Sequence, residues 1–107
     1  MSKTKLATPK MGDILKDEFL DPLEVTAYRL AKEIGVSTST ILDIVHNRRK
    51  ISVEMAIRLS KYFGNSSKFW LNIQNELELR EIEMKKVKEF EKIKQYSHSI
   101  QLSKPNT

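Results

Sequence analysis

Apolar residues recur along this chain at intervals of three and four, and most of these stretches are bounded by residues that cap or stop a helix. The first is Gly12 to Leu20 (GDILKDEFL), with Ile14, Leu15 and Phe19 on one face. Asp21-Pro22 is expected to end it, because the residue before a proline disfavours the helical region. Thr26 to Ile34 (TAYRLAKEI) is the second, with Thr26 as cap, Leu30 and Ile34 sharing a face, and Ala27 and Ala31 beside them. Gly35 follows, where a residue of positive φ commonly stops a helix. Ser37 caps a third helix, Thr38 to His46, with Ile41, Ile44 and Val45 as its apolar positions. Its β-branched residues lower intrinsic propensity, so packing must hold it. Asn47, just past its end, tolerates the left-handed conformation better than most residues with a side chain.

Ser52 opens a fourth helix over residues 53–63, with Ala56, Leu59, Ser60 and Phe63 inward and Gly64 closing it. Ser66 or Ser67 caps a fifth that starts near Lys68 and carries a stripe of Phe69, Trp70, Ile73 and Leu77. This helix is free to continue through the charged run to Lys94, where Glu81 and Lys85 form an i,i+4 pair. No segment alternates as a strand does, and the connections are short. The expected fold is all-α: a compact five-helix bundle containing a helix-turn-helix, with a C-terminal helical extension. Residues 1–11 are expected to be a flexible basic arm. Residues 12–79 form the domain, and residues 80–107 a charged helical extension whose last ten residues are disordered.

Charge sharpens this picture. Nineteen Lys and Arg face 14 Asp and Glu over 107 residues, a formal net charge of +5. Such an excess favours a polyanionic partner. The acids gather in residues 11–24, whereas the N-terminal ten residues, the Arg48-Arg49-Lys50 run and the segment after residue 84 are basic. The chain has no cysteine, which excludes disulfides and thiolate metal sites. No run is long enough to span a membrane, and the start lacks a signal-peptide core, so a cytoplasmic location is expected.

Residues 26–46 (TAYRLAKEIGVSTSTILDIVH) read as two short helices joined by a Gly-Val-Ser turn. The small Ala31 lets the second helix approach; Gly35 makes the turn, Val36 plugs the corner, and Ile41 and Ile44 anchor the next helix from beneath. Thr38, Ser39, Leu42, Asp43 and His46 are left nearer the surface, short and polar enough for a DNA major groove. Threonine and serine hydroxyls reach bases or phosphates, and Asp43 is suited to accept from a cytosine amine. Arg48, Arg49 and Lys50 are candidate clamps on the phosphate backbone. Plainer readings stand beside these: a solvated basic loop, ordinary first-turn residues at Thr38 and Ser39, and a surface or C-terminal capping role for His46.

Three stretches, GDILKDEFLDPL, YRLAKEIGVSTSTILDIVHNRRKIS and AIRLSKYFGNSSKFWLNIQNELELR, carry a resemblance to a known family. Together they resemble the HigA-type antitoxins, a branch of the Cro/repressor-like (XRE) helix-turn-helix proteins, over about two thirds of the chain. The YFGNSSKFWLNIQ segment makes the match specific. The resemblance implies a homodimer on a palindromic double-stranded operator. It further implies neutralisation of a HigB-type (RelE-like) mRNA-cleaving toxin and repression of the protein's own operon. Carried onto matching positions, it implies that Thr38, Ser39 and Asp43 face base edges. It places Thr40 beside the backbone-facing surface, Arg48 and Arg49 in the loop that follows, and Phe69 and Trp70 in the core; Ser37 at the helix start, His46 and Lys50 are DNA-backbone candidates on the residues alone. The chain departs from the family in having Pro-Lys-Met-Gly before the first helix, where a His-Pro-Gly run is usual. It has His46-Asn47 in place of an Asn-Gly turn, and a lysine-rich extension beyond residue 84.

An enzyme is not expected. His46 and His98 lie far apart without partner sets, and no metal or phosphate-loop motif occurs, so no cofactor is implied. The acids near residues 76–83 read as a solvated helix face. Two rival readings are a stand-alone regulator without a toxin, and a protein-interaction module with a non-functional helix-turn-helix.

Overall fold

A computed structural model describes residues 8–97, so the expectations for most of the basic arm, for His98 and for the last ten residues lie outside the described residues. Helical segments and their connections make up all the regular structure among them. Helix α1 is continuous over Met11–Ile14, Leu15–Leu20 and Asp21–Leu23. It is followed by α2 (Ala27–Ile34), α3 (Thr38–Val45), α4 (Val53–Phe63), α5 (Ser67–Lys85) and a short α6 (Val87–Glu91).

Four of the starts are set by hydroxyl caps. Thr26, Ser37, Ser52 and Ser66 hold extended backbone and accept from the N–H three residues on, at Arg29, Thr40, Met55 and Phe69. Each such cap stabilises a helix by about 0.5–2 kcal/mol. Gly35 closes α2 at φ 79°, and the Val36 N–H returns to the Ala31 carbonyl at 2.9 Å, which turns the chain sharply into α3.

Helix α1 departs from expectation. It does not stop at Asp21 but runs through Pro22 to Leu23, and the chain turns only at Glu24, whose φ is 56°. The middle of α1 is wound in wide, π-type turns, with the Asp21 N–H reaching the Lys16 carbonyl. Widening the turn ahead of Pro22 eases the ring's clash with the carbonyl four residues back, so the proline is tolerated within the helix. The same winding rotates the buried face. Leu15 and Leu20 are buried, while Ile14 and Phe19 are half-buried.

One core gathers Leu15, Leu20, Leu30, Ala31, Ile34, Ile41, Ile44, Ile51, Met55, Ala56, Leu59 and Trp70. On α4, Met55 takes a buried place, and Ser60 and Phe63 stay half-buried. Trp70 is fully buried and its ring N–H donates to Asn65 Oδ1 at 2.8 Å, which satisfies its one polar atom. Phe69 is a correction to the expected core: 37% of it is exposed. Successive helical residues point about 100° apart, so with Trp70 aimed into the bundle Phe69 reaches only its rim. There its ring stands edge-on to Trp70 at 5.2 Å and to Phe19 at 5.9 Å.

The fifth helix begins at Ser67 with Ser66 as cap and does not run to Lys94. It breaks at Lys86, and every residue from Ile82 to Ser97 is exposed. Beyond that point no packed face holds the charged sequence in one long helix.

The tightest contact is at the start of α1. A Cβ on Gly12 would overlap the carbonyl oxygens of Ile44 and Val45 and the side-chain oxygen of Asn47. Gly12→Ala therefore has to push α1 off the end of α3. We expect it to cost about 1–3 kcal/mol, at the upper end because the neighbours are mostly backbone. Urea denaturation of the full chain reads this out, and an unchanged midpoint would show that the two helices do not meet so closely.

Candidate nucleic-acid interface

Helix α3 presents two distinct faces. Ile41 and Ile44 are buried, and Ala31 of α2 is buried with them. Val36 packs half-buried at the corner. On the opposite side Ser39, Leu42, Asp43 and His46 follow one another at spacings of three, one and three, which is a single helical stripe. Ser39 and His46 are exposed, Leu42 is 38% exposed and Asp43 is half-buried. Thr38 sits half-buried at the margin between the faces. Ser37 and Thr40 are coupled at the start of α3. Their hydroxyls lie 2.9 Å apart, and Ser37 Oγ accepts the Thr40 N–H at 3.1 Å.

Two of the three basic side chains after α3 are already engaged. Asn47 takes φ 62°. The reversal sends the Arg48 N–H back to the Asp43 carbonyl at 2.7 Å. Arg48 Nε and Nη2 then each lie 3.2 Å from Asp43 Oδ1. Lys50 Nζ lies 2.6 Å from Glu78 Oε2 on α5. Arg49 is exposed and makes no hydrogen bond or ion pair among the described residues. The loop is thus basic in composition, but only one of its charges is uncompensated among the described residues.

The loop's course is set from two sides. Gln74 of α5 bonds both polar groups of the Ile51 backbone: the Ile51 N–H donates to Oε1 at 2.7 Å and Nε2 donates to the Ile51 carbonyl at 2.9 Å. From the other side, Asn47 Oδ1 accepts the Gly12 N–H at 2.8 Å, and its amide donates to Asp13 Oδ1 at 3.4 Å. Lys10, at the cap position of α1, has no side-chain oxygen to offer the first-turn N–H groups. Asn47 supplies one across the tertiary interface. The departure from the usual Asn-Gly turn therefore has a use, since a glycine at residue 47 has no such oxygen.

Further ties hold the frame. Arg58 Nη1 donates to the Ile34 carbonyl at 2.6 Å, satisfying the end of α2 beside Gly35, and pairs with Glu54. Glu81 lies 3.5 Å from Lys10 and 3.2 Å from Lys85. The Lys85 ammonium, and then the charge of Lys10, hold the Glu81 carboxyl below its ordinary range. The Lys10 tie to α5 is accordingly complete at neutral pH and is released as the pH falls through that lowered value.

Gly12, Gln74, Glu78 and Arg58 were not singled out from the sequence, because their partners lie 23 to 35 residues away. Among the described residues no group of three or more His, Cys, Asp or Glu side chains converges as a metal site would, and no helix is long and apolar enough to cross a membrane.

A helix-turn-helix family model (HTH_3) matches residues 18–71. The antitoxin HigA-1 of Vibrio cholerae is 38% identical over 79 residues, which is 74% of each chain. The solved structure of the Pseudomonas aeruginosa antitoxin HigA with the higBA promoter is 38% identical. It superposes with a TM-score of 0.77 over 83% of this chain and 97% of that one. The antitoxin GraA in complex with its operator is 32% identical, with a TM-score of 0.79 over 92% of this chain and 99% of that one.

Gln74→Leu tests the loop's attachment. It leaves the N–H and carbonyl of Ile51, a residue only 2% exposed, without partners. The expected loss is about 1–3 kcal/mol for each group left unpaired. Amide exchange at Ile51 should accelerate before that of the Leu59 amide in the core. Equal acceleration at both sites would mean the clamp has no local role.

Proposed function

The chain belongs to the HigA-type branch of the helix-turn-helix family, and from that premise we propose that it is an operator-binding antitoxin. The observation that carries the DNA half is the α3 stripe of Ser39, Leu42, Asp43 and His46, with Arg49, unpaired among the described residues, just beyond it. A helix of this size enters the major groove, where base edges display a full pattern of donors, acceptors and methyl groups. Ser39 and Asp43 offer hydrogen-bonding groups, Leu42 offers an apolar contact for a thymine methyl, and Thr38 flanks them. Ser37, Thr40, His46 and the basic loop lie along the phosphates. The reading unit is assigned to residues 12–79, with the extension from residue 80 outside it.

One eight-residue helix reads only a few base pairs. A twofold dimer places two such helices in half-sites about one turn of DNA apart, which matches a palindromic operator. Occupancy blocks polymerase and represses the operon without any chemistry. The antitoxin half of the proposal is that the same protein binds and silences a HigB-type mRNA-cleaving ribonuclease. Family membership is what supports it.

Titrations of the chain's own upstream DNA and a scrambled duplex, across a salt series, test the DNA half. Arg49→Gln should weaken both duplexes about equally and lower the salt slope by about 0.9, the value for one phosphate contact. Ser39→Ala and Leu42→Ala should instead change preference among sequences, by about 1–3 kcal/mol for a lost base contact. Wild-type binding that ignores sequence would overturn the operator reading. For the antitoxin half, co-expression should restore growth arrested by the product of the adjacent gene. Persistent arrest with both proteins present would leave a stand-alone regulator.

A further inference from the structure

The Asp43–Arg48 pair joins a group on the reading face of α3 to a group in the phosphate-facing loop. Asp43 stands in the middle of the exposed stripe, and 34% of its side chain is accessible. Arg48 is folded back over it by the left-handed Asn47, and the arrangement is closed by the Arg48 N–H to Asp43 carbonyl bond at 2.7 Å. Both Nε and Nη2 of the guanidinium address a single carboxylate oxygen, Oδ1. That oxygen competes with phosphate for Arg48, and Arg48 competes with any base for Asp43. Oδ2 and the remaining guanidinium N–H groups are left open, so the competition is one of charge: carboxylate and phosphate share one guanidinium, and guanidinium and base amine share one carboxylate.

We propose that this ion pair is a specificity latch, which couples base reading to backbone clamping. The idea rests on the operator-binding reading above. On DNA without a suitable base, Asp43 keeps Arg48 as its counterion, and the arginine contributes little to phosphate binding. Where a cytosine amine meets α3, the carboxylate turns toward it, its hold on Arg48 through Oδ1 weakens, and the guanidinium is free to swing to a phosphate. Asp43 is then the specificity-determining residue and Arg48 the positioned clamp, so that a correct base strengthens a contact it does not itself make. Lys50 is outside this coupling, because its counterion is Glu78 on α5, far from the reading face in sequence.

The test is a double-mutant cycle, Asp43→Asn with Arg48→Gln, on full-length protein. Each variant is titrated with its own upstream DNA and with a scrambled duplex, and its thermal stability is checked in parallel. Asp43→Asn alone should tighten binding to the scrambled duplex by roughly fivefold, the equivalent of a surface ion pair. It should also raise the salt slope by about 0.9 as a freed Arg48 takes a phosphate. Selectivity for the operator should fall. In the Arg48→Gln background the same substitution should leave scrambled-duplex binding and its salt slope unchanged. If Asp43→Asn tightens scrambled binding equally in both backgrounds, the carboxylate acts by general repulsion and the latch is wrong. If it leaves the scrambled duplex unaffected in the native background, the latch is equally wrong. Failure of the wild type to prefer its operator would instead defeat the operator reading on which the latch depends.

Discussion

The docking of the first turn of α1 against the last turn of α3 is the contact on which the rest of the arrangement depends. Helix α3 is short and rich in β-branched residues, so it does not hold its position by propensity. Ile41 and Ile44 anchor its underside. Its far end is fixed where the Gly12 backbone lies against the carbonyls of Ile44 and Val45 and where Asn47 Oδ1 takes the Gly12 N–H. The contact needs a residue with no side chain at position 12. At position 47 it needs one that carries an oxygen and accepts positive φ. Gly12 and Asn47 meet both conditions, and the reversal at Asn47 then directs the basic loop.

Electrostatics in that loop runs against a simple reading of its composition. A cluster of three cations is expected to repel itself and to attract phosphate indiscriminately. Internal carboxylates on Asp43 and Glu78 answer two of the charges, and the two pairs belong to different elements. Exposed ion pairs contribute little to stability. Their consequence here is for binding: a phosphate has to share Arg48 or Lys50 with a carboxylate, whereas Arg49 has no carboxylate partner among the described residues. The general attraction of the loop for phosphate is thereby moderated.

Local signals were the legible ones. The four hydroxyl caps and the turn at Gly35 depend on residues three or four apart, and the structure has them where the pattern places them. The same holds for the buried Ala31, Ile41 and Ile44, because the turn and the 3.6-residue period fix which side of α3 faces inward. Elsewhere tertiary context decided. Pro22 is accommodated by wide turns that no local rule announces. Phe69 is held at the rim because its neighbour Trp70 occupies the core. The Gln74 clamp and the Glu78 counterion join segments more than twenty residues apart, so their types and spacing alone do not reveal them. The exposure of Ser39, Leu42 and His46 on one stripe of α3 was legible from the helical period, but the commitment of Arg48 to Asp43 became visible only with the loop's geometry.

Replacing Asn47 by glycine tests the central junction most directly, because two effects then oppose each other in sign. Glycine relieves the left-handed backbone at φ 62° and, if strain governed the site, would raise stability. It also removes the oxygen that caps the start of α1. The measurement is the thermal midpoint of Asn47→Gly, with amide exchange followed at Gly12. A lower midpoint with faster exchange at Gly12 is the outcome expected if this junction holds the recognition helix in place. A raised midpoint with Gly12 still protected would contradict the account.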